Sequence, residues 1–132
     1  MKNHLLVLSL LLPSAVMGGQ STYLCTVNQV LELSAKGIME EHKGIYEVVV
    51  GQSFSVNRDT GEMLGLPFET KSYREVKVFD RGSAQNAYKA TVISHPPNTW
   101  IQYIYITEFR GGDKKPFWGT EGGNMVFSGV CE

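Results

Sequence analysis

Two cysteines, Cys25 and Cys131, are the residues of this 132-residue chain whose chemistry is best defined by type and place. Two thiols far apart in sequence pair as a disulfide in an oxidising compartment or stay as separate buried thiols. Other chemistry-bearing residues form weaker patterns. His42 and His95 are the histidines beyond the first twenty residues, and neither sits in an HExxH or nucleophile-elbow setting. Met39-Glu40-Glu41-His42 holds soft and imidazole donors that suit copper or zinc. A metal site needs ligands converging from elsewhere, however, and a solvated turn accounts for this stretch more simply. Asn57-Arg58-Asp59-Thr60-Gly61 lacks the acidic spacing of a calcium loop and reads as a hairpin. Glu62, Glu69, Glu75 and Glu108 are carboxylates of the kind glycosidases pair, but no spacing selects two of them. Carboxylates facing Lys or Arg are ordinary on exposed strand surfaces. No metal, cofactor or catalytic residue is expected.

The aromatic residues say more. Along WIQYIYITEF (Trp100–Phe109), one face carries Ile101, Tyr103, Tyr105 and Phe109, and the other Trp100, Ile104 and Ile106. Only one face can fill a barrel interior. Either a second layer covers the other, since monomers rarely leave large apolar patches bare, or it is a docking surface. Phe117-Trp118 beside Lys114 and Lys115 is the second aromatic site. Pro116 gives up a ladder donor, which places this segment at a sheet edge, where rings next to a cation suit a carboxylate-bearing partner. Phe117, Trp118 and Lys115 are the first candidate binding residues, with Tyr103 and Tyr105 as the alternative surface.

The elements that must position these residues follow from the pattern of the chain. MKNHLLVLSLLLPSAVMGG reads as a secretory signal: a basic start at Lys2, an apolar run from Leu5 to Leu12, then Pro13 and small residues before a cleavage site near Gly18/Gly19. The run is too short and interrupted for a membrane span, so residues 1–18 are expected to be removed and 19–132 to form one domain. Acidic and basic residues nearly balance, at a net charge of −1. Nucleic acid, which calls for a basic excess, is not an expected partner.

Beyond residue 20 the hydrophobic pattern has period two. Tyr23, Cys25, Val27, Leu31 and Leu33 line one face of a first strand, with Gln29 as the polar exception. Further strands are expected at Ile45–Val50 continuing through Val56, Met63–Leu66, Tyr73–Asp80, Asn86–Ser94 and Trp100–Phe109. A short edge segment at Pro116–Trp118 and a final strand ending at Cys131 complete the set. Turns fall at Ser34–Gly37, at NRDTGE, where Asp59 can bond its own backbone, and at Arg110–Asp113. Ile38–Lys43 fits one helical turn or a strand start. About eight strands at hairpin spacing predict an all-β domain, an antiparallel barrel or sandwich. Cys131 shares its face with Met125 and Phe127, and Cys25 with Tyr23 and Val27. Both thiols therefore point inward, and a disulfide joining first and last strands is expected.

Tyr23-Leu24-Cys25-Thr26, the turn Val56–Gly61, Lys114-Lys115-Pro116-Phe117 and Ser128-Gly129-Val130-Cys131 together resemble an uncharacterised family of small secreted proteins of Gram-negative bacteria. The resemblance implies an exported, disulfide-closed β domain and brings no catalytic residue. In architecture alone the pattern is similar to lipocalin-like barrels and to periplasmic lysozyme inhibitors, a likeness that does not fix function. Three functions fit a periplasmic or secreted domain of this kind. A non-catalytic binding module for a protein, glycan or small apolar ligand comes first. A small hydrolase with an unrecognised carboxylate or histidine site, and an envelope or adhesion component acting by assembly, are the alternatives.

Overall fold

The computed structural model describes residues 21–68, 75–95, 97 and 99–132. The expected leader, Glu69, Tyr73 and two residues of HPPN lie outside these. The alternating stretches form nine strands: β1 (Thr22–Leu33), β2 (Met39–Glu41), β3 (Ser53–Asn57), β4 (Met63–Leu64), β5 (Glu75–Arg81), β6 (Tyr88–Ile93), β7 (Ile101–Ile106), β8 (Lys115–Thr120) and β9 (Met125–Cys131). One helix among the described residues, α1 (Lys43–Val49), stands between β2 and β3. The strands make a single antiparallel sheet in the order β4-β3-β1-β9-β8-β7-β6-β5, with β2 added against the C-terminal end of β1. From β5 to β9 the sheet is a plain meander. β1 then pairs with β9 on one side and β3 on the other, and the sheet curls into a half-barrel. The expected all-β class is what is found, apart from α1.

The disulfide forms as expected. Cys25 and Cys131 are direct register partners, 3.9 Å apart at Cα. Next to them Leu24 and Glu132 exchange both backbone hydrogen bonds, at 3.0 and 2.9 Å, which makes the cysteines a non-hydrogen-bonded pair, the kind whose side chains approach most closely. A β-bulge between Val27 and Gln29 then resets the phase of β1. Val30 therefore enters the core in place of Leu31, while Leu33 is exposed. Asn28 is the extra residue, and the Gln29 exception in the sequence marks the shift it causes, since Gln29 pairs with Ser128 on the outer side.

The inner face is filled with rings. Phe54 packs against Phe68 at 4.9 Å and Phe117 at 5.3 Å, Phe68 against Phe127 at 5.6 Å, and Tyr23 against Tyr88 at 5.2 Å. Val27, Val56, Met63, Val92, Ile104 and Ile106 close the gaps. Gly129 makes this packing possible. A Cβ there would collide with the Thr26 carbonyl oxygen on β1 and come within 2.9 Å of the Phe117 ring.

Two expected segments are corrected. Ile45–Val50, read as a strand from its β-branched residues, forms helix α1 through Val49, with Val50 as its C-cap. The His42 side chain accepts the Ile45 N–H through Nδ1 at 3.1 Å and caps the first turn. Ile45 and Val49, one turn apart, both reach the core, while Tyr46 and Val48 stay exposed. Propensity is a weak prior against this cap and packing.

Pro116–Trp118, read as an edge, lies in β8, which is paired on both sides by β7 and β9. Pro116 is tolerated there because the missing donor falls at the end of the β7–β8 ladder. Its carbonyl accepts the Thr107 N–H at 2.8 Å, and the Thr107 carbonyl, which Pro116 cannot serve, accepts Arg110 N–H at 3.1 Å instead. The NRDTGE hairpin is confirmed, with Gly61 at φ 79°, but its Asx contacts come from Asn57. Asn57 Oδ1 accepts both the Asp59 and Thr60 N–H groups at 3.0 Å.

Two outcomes follow. The bridge spans a sequence separation of 106, so reducing it should lower the unfolding free energy by about 2–5 kcal/mol, read from denaturant melts with and without reductant. An unchanged midpoint would show that β1–β9 pairing holds without the bond. Gly129→Ala should cost about 1–3 kcal/mol or more by overpacking, whereas Ala at exposed Gly111, which has open space around it, should be near neutral.

Candidate functional site

Strand alternation sorts the five candidate binding residues into two places. Phe117 points inward and is 3% exposed, in the aromatic core. Lys115 also turns to the inner side, and its amine lies 3.3 Å from Glu108 Oε1. Trp118 points outward from the middle of the sheet and is 44% exposed. Tyr105 is its register partner on β7, with ring centroids 6.0 Å apart and planes 25° from parallel, and Tyr103 lies 5.3 Å away. The two surfaces treated as alternatives in the sequence are thus one surface without Phe117 and Lys115. Tyr103 is half-buried in this cluster, and burial pushes its hydroxyl pKa up.

Register extends the cluster into two outer rows. One runs Lys89, Tyr105, Trp118, Ser128 and Gln29 across β6, β7, β8, β9 and β1. The next runs Lys77, Thr91, Tyr103 and Thr120 across β5 to β8. Lys89 Nζ lies 5.9 Å from the centre of the Tyr105 ring, a cation–π distance. Sequence reasoning missed Lys77, Lys89 and Thr91, because only cross-strand register places them beside the rings.

A second cluster, also missed, closes one end of the half-barrel. Glu108, in the β7–β8 turn, accepts the Tyr23 hydroxyl hydrogen at Oε2 (2.8 Å), while Arg58 and Lys115 approach Oε1 at 3.6 and 3.3 Å. Arg58 also donates from Nε to the Arg81 carbonyl at 2.9 Å and from Nη2 to the Gly82 carbonyl at 3.2 Å. Its guanidinium lies 5.3 Å from the centre of the Tyr23 ring. One side chain of the β3–β4 turn therefore ties together β1, the β7–β8 turn and the end of β5. Every polar group here is spent on the fold, and Glu108 is a bridging anchor for three donors.

Other candidates have structural places. His42 caps α1 and lies 3.4 Å from Glu32. Met39 is exposed on β2, opposite Leu33. His95 lies 4.0 Å from Glu75 at the surface. No helix among the described residues is long and apolar enough to cross a membrane.

Burial raises the pKa of the Tyr23 hydroxyl, with its hydrogen bond to Glu108 adding to the effect, and burial pushes Tyr88 up to about 12. Below the ordinary tyrosine value of about 10 both are neutral whether the chain is folded or not. Above it the unfolded chain loses protons that the folded protein keeps, so stability should fall between about pH 10 and pH 12. Denaturant melts across that range check this, and Tyr88→Phe should flatten the decline.

Trp118→Ala should leave the fold nearly as stable as wild type, whereas Phe117→Ala should cost about 3–5 kcal/mol; equal losses in thermal melts would contradict the inside–outside partition. Comparison with known proteins adds no relative, since no family model, no curated protein and no solved structure matches the chain.

Proposed function

We propose that this protein is an exported, non-catalytic binding module that holds its ligand on the outer face of the sheet. The observation that carries the reading is the exposed Trp118, at mid-sheet between Tyr103 and Tyr105. Large rings left at the surface are typical anchors of binding sites. Two further features support it. The inner face is occupied by Phe54, Phe68, Phe117 and Phe127, which disfavours a small apolar ligand held within the half-barrel. The partly buried carboxylate Glu108 is committed to Tyr23, Arg58 and Lys115, which disfavours the hydrolase alternative. A disulfide between first and last strands suits an oxidising compartment and, with the secretory signal read from the sequence, supports a periplasmic or secreted location.

The test is a parallel screen of wild type and Trp118→Ala against a glycan array and a panel of purified envelope and extracellular proteins. Ligands captured by wild type and lost in a folded Trp118→Ala variant support the reading. Ligands retained by Trp118→Ala, or hydrolysed on incubation, overturn it.

A further inference from the structure

We infer that the ligand of this outer face is an acidic glycan, an oligosaccharide bearing uronate or comparable carboxylate groups. This inference rests on the reading of the face as a binding surface. It comes from what surrounds the rings.

A protein partner of ordinary affinity covers about 800 Å² per side around a largely apolar centre. Here, along the two rows, the rings are flanked by hydroxyls and an amide, Thr91 and Thr120 beside Tyr103 and Ser128 and Gln29 beyond Trp118, while the exposed apolar Ile101 lies along β7 from Tyr103. Rings that meet the C–H face of a sugar, with hydroxyl and amide groups to either side, match the alternation of apolar and polar edges on a pyranose. Strands are about 4.8 Å apart, so the row from Lys89 to Gln29 spans roughly 19 Å, enough for a short oligosaccharide laid across the strands.

Charge selects among glycans. Lys89 and Lys77 stand at one end of the two rows, and among the described residues neither makes an ion pair. Lys89 lies over Tyr105, and Lys77 lies 4.9 Å from the centre of the Phe79 ring. Arg58, Arg81, Lys114 and Lys115, by contrast, each face a carboxylate. Asp80, the register partner of Lys89, has Oδ1 turned to the Gly82 N–H at 2.9 Å. Two cations held over rings, without an ion-pair partner among the described residues, complement an anionic ligand at this end.

A separate observation points to the same place. Thr91, in the outer row between Lys77 and Tyr103, is 9% exposed, and its Oγ1 makes no hydrogen bond. Buried hydroxyls are rarely left unsatisfied. A sugar hydroxyl arriving as the flexible Lys77 side chain swings toward a ligand carboxylate would complete it.

The experiment is calorimetric titration of the protein with a uronate tetrasaccharide and with its carboxyl-reduced, neutral counterpart, at low and high salt. The expected result is about three- to ten-fold tighter binding of the acidic sugar at low salt, an advantage that shrinks as salt rises. Lys89→Gln should abolish that advantage and leave binding of the neutral sugar intact. Trp118→Ala should abolish binding of both. Equal affinity for the two sugars overturns the inference and leaves the binding face standing. Acidic-sugar binding untouched by Trp118→Ala overturns both. A single-stranded oligonucleotide of matched charge that binds as tightly overturns it in favour of a general polyanion surface, and so does binding to neither sugar.

Discussion

The pairing of β1 with β9 is the contact on which the rest of the molecule depends. The other sheet neighbours along the order follow each other in the chain once β2 and α1 are set aside; β3–β4 and the steps of the β5–β9 meander are local hairpins, and β1–β3 closes over only β2 and α1. β1 and β9 bring together segments about a hundred residues apart, and loop closure over that length carries an entropy cost that local hairpins avoid. Three features converge on this seam: the Cys25–Cys131 bridge, the paired hydrogen bonds of Leu24 and Glu132, and the bare Cα of Gly129 against Thr26. Without the seam the meander β5–β9 and the hairpin β3–β4 would each expose one apolar face with nothing to close over it.

The opposite side of the half-barrel is managed differently. β4 and β5 are the free ends of the sheet, and a groove of about 470 Å³ runs along β5, lined by that strand together with Asp59 and Thr60 of the β3–β4 turn. In place of a backbone ladder, side chains hold this gap. Arg58 reaches the carbonyls of Arg81 and Gly82, Arg81 pairs with Asp59 at 2.8 Å, and the Tyr88 hydroxyl donates to the Asn57 carbonyl at 3.2 Å. The exposed Lys77 and the bulge between Val78 and Asp80 are devices that keep an edge strand from recruiting another chain. An edge so guarded disfavours strand-to-strand pairing through β5.

The outer face is a by-product of closing the sheet over a core that can hold only half of the aromatic residues. Phe117 and Trp118 are adjacent in sequence and have opposite fates because strand geometry sends neighbours to opposite sides. The inner side takes Phe117 against Phe54 and Gly129, and the outer side receives Trp118 opposite Tyr105.

The amino-acid sequence by itself determined the class of fold, the inward direction of both cysteines and the faces of the Tyr103–Tyr105 strand, because period-two alternation is a local property that survives into any antiparallel sheet. It also marked the NRDTGE turn, whose glycine needs a positive φ. The tertiary structure alone decided what depends on neighbours distant in the chain. Ile45–Val50 has the composition of a strand and folds as part of a helix, since a histidine cap and two core contacts one turn apart outweigh β propensity. Pro116 has the signature of an edge and sits in a central strand, since the Arg110 N–H occupies the carbonyl it leaves unserved. The outer rows of Lys89, Tyr105, Trp118 and Ser128, and the anchor of Arg58 on Glu108, join residues from four or more segments. No spacing along the chain encodes them, because register is set only when strands pair.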